Sequence, residues 1–155
     1  MEYVKRALGM ELDYSRETLP VLDHYLGQVP RDQPETVALV ASAAGAYFGE
    51  VARRTLGGEW EGAGLGRGDP PASWRVRLSG GVTFSPVGFA AESIFQADVE
   101  GYDGAFEVPP ADRQAVEDAL AEKAVPEDEY YSLSGRLEVL EDVVELVIGR
   151  AATRS

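Results

Sequence analysis

The sequence contains no cysteine, a single histidine and only two lysines. The absence of cysteine excludes disulfides, thiolate metal ligands and cysteine nucleophiles. No apolar run approaches the roughly 20 residues that a membrane-spanning helix needs. The opening residues MEYVKRALGMELDYS carry an early acid and no apolar core. We therefore expect no signal peptide, no membrane partner and a cytoplasmic location.

Familiar catalytic motifs are also missing. His24 is the only histidine, so a Ser–His–Asp triad would have to be built around it, yet no serine stands in a G-x-S-x-G setting. The segment GAGLGRG lacks the lysine of a phosphate-binding loop, and two prolines follow it instead of a helix. The sequence thus favours a protein with no catalytic residue and no cofactor. Paired-carboxylate chemistry stays open, because the fold sets the separation of two carboxylates.

One acidic segment resembles a set of hard-cation ligands. DVEGYDGAFE supplies Asp98, Glu100, Asp103 and Glu107, but its sixth residue is an aspartate where an EF-hand loop requires glycine. We predict no dedicated metal site. Weak divalent-cation binding and a solvated acidic turn remain the two interpretations of this segment.

Acidic residues are abundant and unevenly placed. The chain carries 27 Asp and Glu against 14 Lys and Arg, a net charge of −13. The segment from Glu92 to Glu145 contains sixteen acidic residues and only three basic ones, Arg113, Lys123 and Arg136. Such a field repels phosphate backbones and attracts basic surfaces, so we expect a basic protein partner and no nucleic acid. The simpler interpretation is that the charge keeps the protein soluble.

Helical spacing dominates the first third of the chain. Residues 2–8 predict a short helix, and residues 15–27 predict a second one with Ser15 as its N-cap. The strongest helix pattern lies in RDQPETVALVASAAGAYFGEVARRTLGG, residues 31–58, with Asp32 as its N-cap and Gly57–Gly58 at its C-terminus. Two glycines within that helix cost roughly 1 kcal/mol each relative to alanine, so we expect another backbone to pack closely against them.

Beyond residue 58 the periodicity changes from helical to alternating. Glu59–Glu61, SWRVRLSGG and VTFSP predict three strands, with a tight turn at Gly80–Gly81. Residues 87–99, 110–124 and 133–150 predict helices, and residues 100–110 predict a connection. The expected fold is a single α+β domain over residues 1–155, with N-terminal helices, a three-stranded antiparallel meander and C-terminal helices. Residues 151–155 are expected to form a frayed tail.

The junction GAYFGEVARRTLGGEW, preceded by LDYSRETLPVLDHYL, resembles small bacterial proteins that belong to domains of unknown function. The resemblance covers about the first half of the chain. It implies a similar helix-to-strand arrangement and no particular activity.

Three hypotheses for function follow. The first is a non-enzymatic interaction module, for example an inhibitor or immunity-type protein for a basic partner, whose surface comprises Glu127, Asp128, Glu129, Tyr130 and Tyr131. The second is a small-molecule binder or enzyme with a pocket between the long helix and the sheet. Its lining would be Tyr47, Trp60, Trp74, Arg53 and Arg75. The third is a purely structural subunit with an exposed apolar patch.

Overall fold

The computed structural model describes residues 13–61, 73–123 and 127–154. Within these ranges lie five helices of eight or more residues: α1 (Leu19–Leu26), α2 (Pro34–Leu56), α3 (Pro86–Phe95), α4 (Arg113–Glu122) and α5 (Leu133–Arg154). Four strands accompany them: β1 (Gly58–Glu61), β2 (Arg75–Leu78), β3 (Thr83–Phe84) and β4 (Phe106–Glu107). A single helical turn, Glu127–Tyr130, precedes α5. The helix predicted for residues 2–8 and the glycine-rich segment 62–72 lie outside the described residues.

The strands form one antiparallel sheet in the order β1-β2-β3-β4. Val76 of β2 lies opposite Trp60 on one side and Phe84 on the other, and Phe84 in turn lies opposite Phe106. The α+β class, the N-terminal helices, the central strands and the C-terminal helix are confirmed. The strand count of three is wrong. β4 has only two residues, too few to show an alternating pattern, and it exists through its pairing with β3.

The small residues of α2 allow α3 to pack closely against it. Gly45 lies directly over Val87, and a Cβ added at Gly45 would fall 2.6 Å from the Val87 Cα. Gly49 lies instead against side chains, the Trp60 ring and the Pro86 ring. The predicted close approach of a second backbone is therefore confirmed at Gly45, where that backbone belongs to α3.

Aromatic rings fill the space where α2, α3 and the sheet meet. Phe48, Phe84 and Phe89 are at most 1% exposed, and their ring centroids lie 5.0 to 6.0 Å apart. Edge and tilted contacts at these distances add to the burial of apolar area. The three rings join one helix, one strand and the next helix into a common core.

A carboxylate on α1 caps the N-terminus of α5. Asp23 accepts hydrogen bonds from the backbone N of Leu133 (2.6 Å) and from the backbone N (3.1 Å) and hydroxyl (2.7 Å) of Ser134. These bonds satisfy amides that the start of a helix leaves without partners. They also fix α5 beside α1, although 110 residues separate the two along the chain.

Several helix ends differ from their predicted positions. α1 begins at Leu19 with Thr18, not Ser15, at its N-cap position, and α3 ends at Phe95 and not at residue 99. Gln33, not Asp32, is the N-cap of α2, and neither it nor Ser15 makes a side-chain cap bond. The Ser15 hydroxyl donates to Asp13 instead. At the other end of the chain, α5 continues to Arg154, where a frayed tail was expected.

Replacing Gly45 by alanine tests the contact between α2 and α3. The added Cβ would collide with the Val87 backbone, which cannot rotate away, so we expect Gly45→Ala to lower the free energy of unfolding by about 1–3 kcal/mol. Gly149→Ala is the matched control, because Gly149 lies on α5 with no neighbour within 4 Å. There the higher helix propensity of alanine should raise stability by up to about 1 kcal/mol. Urea denaturation of both variants measures the difference, and stabilisation by both would contradict the packing.

Candidate functional site

A cavity of about 440 Å³ opens between α3, β4, α4 and α5. Its walls are apolar side chains from these four elements: Phe89, Phe106, Leu120, Val139 and Leu140. Three polar side chains also line it: Lys123, Tyr130 and Arg136. An apolar concavity with a few polar groups is the general form of a ligand pocket, and its volume falls within the usual range of about 300–1,000 Å³.

Arg136, in the first turn of α5, connects the elements around this cavity. Its Nε donates to the carbonyl of Tyr130 (3.0 Å), Nη1 to the carbonyl of Gly104 (2.7 Å) and Nη2 to Oε1 of Glu92 (2.7 Å). The Arg136 side chain is only 9% exposed. A guanidinium has five N–H groups, so two of them have no hydrogen-bond partner among the described residues.

Aromatic rings surround the same guanidinium. Its central carbon lies 4.4 Å from the ring centroid of Phe89, 5.1 Å from that of Tyr130 and 5.5 Å from that of Tyr131. The two tyrosine rings meet edge to face at 4.8 Å. Ring faces stabilise a cation that has lost its water, so these contacts offset part of the cost of burying Arg136.

The carboxylate that neutralises Arg136 is itself buried. Glu92 lies on α3 and is 4% exposed. Burial raises the pKa of the Glu92 carboxyl, and the hydrogen bond from Arg136 acts in the opposite direction. Gly104 lies against this carboxyl so closely that any side chain at that position would overlap it. Glycine at position 104 therefore permits both contacts of Arg136, one with Glu92 and one with the residue 104 carbonyl.

Two grooves flank α4 and meet the cavity at Leu120. The groove between α4 and α5 measures about 360 Å³, and Val116, Val143 and Leu146 form its apolar floor. The groove between α4 and the β4 region measures about 490 Å³ and contains Val108. Leu120 lines both grooves and the cavity. Together the three concavities give this side of the molecule a broad, partly apolar surface.

Exposed carboxylates surround the grooves. We define the acidic face as the exposed acids of β4, α4 and α5: Glu107, Glu117, Asp118, Glu122, Glu138, Asp142 and Glu145. Four of these line the grooves directly, and Glu138 and Glu145 lie one turn to either side of Asp142. Arg113 and Lys123 are the basic residues of α4 and its C-terminal end, and the Lys123 ammonium binds Asp142. The acidic face therefore carries a strong net negative charge.

Other acids of the C-terminal third are neutralised within the fold. Besides Glu92, the carboxylates of Asp103, Asp112 and Glu141 form ion pairs at 2.8 to 3.0 Å with arginines that lie mostly outside that third. The charge asymmetry of the sequence is thus partly cancelled in the folded protein. Most of the exposed acids of that segment that form no ion pair within the described residues lie on the acidic face.

The predicted interaction surface coincides only in part with these features. Glu129 is exposed and Tyr130 is 52% exposed, whereas Tyr131 is half-buried and donates to Asp98 (3.3 Å). Glu127 belongs to the short helical turn, and its side chain and that of Asp128 lie outside the described residues. Tyr130 is the member of the predicted surface that lines the cavity. Both tyrosines also serve the fold by packing on Arg136.

Four of the five residues of the predicted pocket have hydrogen-bond partners within the described part of the fold. Tyr47 is fully buried, and its hydroxyl accepts from the backbone N of Tyr14 (3.0 Å) and bonds Thr18. Trp60 packs on α2, and Arg53 bonds Glu50 beside it. Arg75 pairs with Asp103 (2.8 Å). Trp74 is half-buried, and its indole N–H has no partner among the described residues.

Glu50, near the end of α2, is the centre of a hydrogen-bonded cluster. It accepts from Arg53 (2.6 and 2.8 Å), from Arg54 (2.7 Å) and from the indole of Trp60 (3.1 Å). The bond from Arg53 contributes most, and together these donors lower the pKa of Glu50 from 4.5 to about 2, against an opposing contribution from burial. The cluster joins the end of α2 to β1.

The depressed pKa of Glu50 predicts a specific pH dependence. A carboxylate with a lower pKa in the folded state contributes stability above pH 4.5, and that stability is lost as the pH falls towards about 2. We expect wild type to lose about 2 kcal/mol more than Glu50→Gln between pH 5 and pH 2. Glu35→Gln, at an exposed position on the same helix, is the control and should behave as wild type. Equal acid sensitivity of wild type and Glu50→Gln would contradict the cluster's role.

The buried pair of Arg136 and Glu92 predicts non-additive effects on stability. Arg136→Met leaves Glu92 buried without its cation, so we expect a loss of about 3–5 kcal/mol. Glu92→Leu/Arg136→Met removes both charges and should recover most of that loss. Arg77→Met breaks an exposed pair with Glu61 and should change stability by less than about 1 kcal/mol. Chemical denaturation measures all three, and a double variant no more stable than Arg136→Met would contradict the prediction.

Within the described ranges, no group of three or more His, Asp or Glu side chains is placed to hold a metal ion. Two of the four carboxylates named for weak cation binding have other partners: Asp98 accepts from Tyr131, and Asp103 accepts from Arg75 and the backbone N of Ala105. His24 is exposed and lies 3.0 Å from the Gln28 amide. None of the helices in the described residues is long and apolar enough to cross a membrane.

No protein-family model, curated protein or solved structure matches this chain. The resemblance of the junction at residues 45–60 to small bacterial proteins therefore remains a prediction.

Sequence reasoning missed the residues that organise the cavity. In the sequence, Glu92, Phe89 and Arg136 stand out only as members of predicted helices or of the charge count. One signal was available, because Glu92 lies within an otherwise small and apolar helix, PVGFAAESIF, where an acid must find a partner. Nothing in the local sequence identifies Arg136, 44 residues away, as that partner.

Proposed function

We propose that this protein is an interaction module whose acidic face binds a partner with a basic, amphipathic surface. The observation that carries the proposal is the combination of seven exposed carboxylates with the apolar grooves beside α4. Charge alone would serve solubility equally well. Apolar floors bordered by carboxylates offer, in addition, a place where a partner's apolar side chains can be buried.

The exposure of α4 supports this assignment. Val116 is the only buried residue of that helix, all of whose residues are described. The acids Glu117, Asp118 and Glu122 project from its remaining surface. A basic helix laid along α4 could place apolar side chains over Val116 and Leu120 and its basic side chains beside these carboxylates. Rim charges of this kind raise the association rate and select the partner's sign of charge.

The proposed partner class is a protein with a lysine- and arginine-rich helical surface. A cationic enzyme inhibited by this module, as in immunity-type pairs, is one specific form of the proposal. The negative field of the acidic face argues against a nucleic-acid partner, because it would repel phosphates. The predicted surface at Glu129 and Tyr130 adjoins the cavity at the end of the acidic face, so it belongs to the same proposed interface.

A charge-neutralised variant tests the acidic face. Glu117→Gln/Glu122→Gln/Glu138→Gln/Glu145→Gln removes four exposed carboxylates from it and leaves the pair of Lys123 and Asp142 intact. The probe is an amphipathic helical peptide with lysine on one side and leucine on the other, titrated by calorimetry. We expect wild type to bind it, and the variant to bind at least about tenfold more weakly. Added salt should weaken binding to wild type more than binding to the variant.

The matched control removes the same charge elsewhere. Glu17→Gln/Asp32→Asn/Glu35→Gln/Glu59→Gln neutralises four exposed acids in the N-terminal half. This variant should bind the peptide nearly as well as wild type. Equal weakening by both quadruple variants would show that only net charge matters, and the proposed interface would be wrong. A wild-type protein that fails to bind the peptide at low salt would overturn the proposal as well.

A further inference from the structure

We propose that the cavity beside Arg136 binds a small organic carboxylate with an apolar body, such as a medium-chain fatty acid. The proposal rests on the lining of this cavity and not on the acidic face, so it can succeed or fail independently of the proposed function.

The charged side chains that line the cavity determine which sign of charge a ligand should carry. Among the described residues, the only charged side chains that line the cavity are those of Lys123 and Arg136, and both are basic. Their carboxylate partners do not line it. Glu92 binds Arg136 from α3, and Asp142 lines the neighbouring groove. Among the described residues, a ligand in this cavity would therefore contact two cations and no anion.

The hydrogen-bonding groups of the lining also favour an anionic ligand. Arg136 has two N–H groups without a partner among the described residues, and the Lys123 ammonium has three donors, one of which binds Asp142. The carbonyl of Gly104 already accepts from Arg136. The cavity thus offers donors and needs a ligand that supplies acceptors, and a carboxylate supplies two oxygens to groups that carry positive charge.

The other side chains that line the cavity are mostly apolar, and they favour a ligand with an apolar body. Phe89, Phe106, Leu120, Val139 and Leu140 surround a volume of about 440 Å³, room for a short alkyl chain or one or two rings. The half-exposed Tyr130 lies at its edge. The two basic groups come from α5 and from the C-terminal end of α4, so the polar end of the ligand would lie between these helices.

Binding of decanoate tests the proposal directly. We expect saturable binding with a dissociation constant below about 1 mM, seen as shifts of the amide signals of Gly104, Ala105 and Gly135 in NMR titrations. Decanol and decylamine have the same chain without the carboxylate. Both should bind at least about tenfold more weakly. Failure of decanoate to bind, or equal binding of decylamine, would overturn the proposal.

Substitutions on the two partners of one ion pair should act in opposite directions. Lys123→Met removes a donor and should weaken decanoate binding about tenfold. Asp142→Asn releases Lys123 from its carboxylate and should strengthen binding. If the ion pair had only a structural role, both substitutions would change decanoate affinity in the same direction, and that outcome would contradict the assignment. Arg113→Met is the control, because Arg113 belongs to the same helix and lies outside the cavity.

A cavity-filling variant locates the ligand. Val139→Trp occupies the space between the apolar walls and should abolish decanoate binding. Its circular dichroism spectrum and unfolding midpoint establish that it is folded. A folded Val139→Trp that binds decanoate as wild type does would place the ligand elsewhere and refute the site.

Discussion

The buried guanidinium of Arg136 is the contact on which the C-terminal half of this protein depends. A cation removed from water is stable only when its charge and its N–H groups are satisfied nearby. Here one residue meets that requirement with a carboxylate on α3, a carbonyl in the segment before β4 and a carbonyl of the turn before α5. Any shift of these three elements would leave a charge without a partner. The same side chain that fixes the fold therefore also fixes the shape of the adjoining cavity.

Close packing in the other half gives α3 its position. Gly45 and Gly49 let α3 and β1 lie directly against α2, and the rings of Phe48, Phe84 and Phe89 fill the junction. Phe89 then has contacts on both sides, with the aromatic core and with the guanidinium of Arg136. The aromatic core and the contacts of Arg136 thus share α3, and the cavity opens against a rigid wall.

Two surfaces of opposite character lie side by side. The acidic face carries exposed carboxylates over apolar grooves, whereas the charged side chains that line the cavity among the described residues are both basic. Glu92 and Asp142, which pair with these basic residues, are not among the residues that line the cavity. A basic partner on the face and a carboxylate in the cavity are compatible, since they would contact different groups. Leu120 borders both regions, so an occupant of one would touch the wall of the other.

The sequence by itself determined the elements that local patterns encode. Helical spacing predicted α2 and α5, alternation predicted β1 and β2, and the small residues of α2 predicted a close neighbour. Tertiary structure alone decided β4, the cap that Asp23 places on α5, and the pairing of Glu92 with Arg136. Each of these depends on groups far apart in the chain, and a periodicity carries no information about them. The uneven charge was visible in the sequence, but only folding showed which acids are neutralised and which remain exposed, because ion pairs form between elements that the fold brings together.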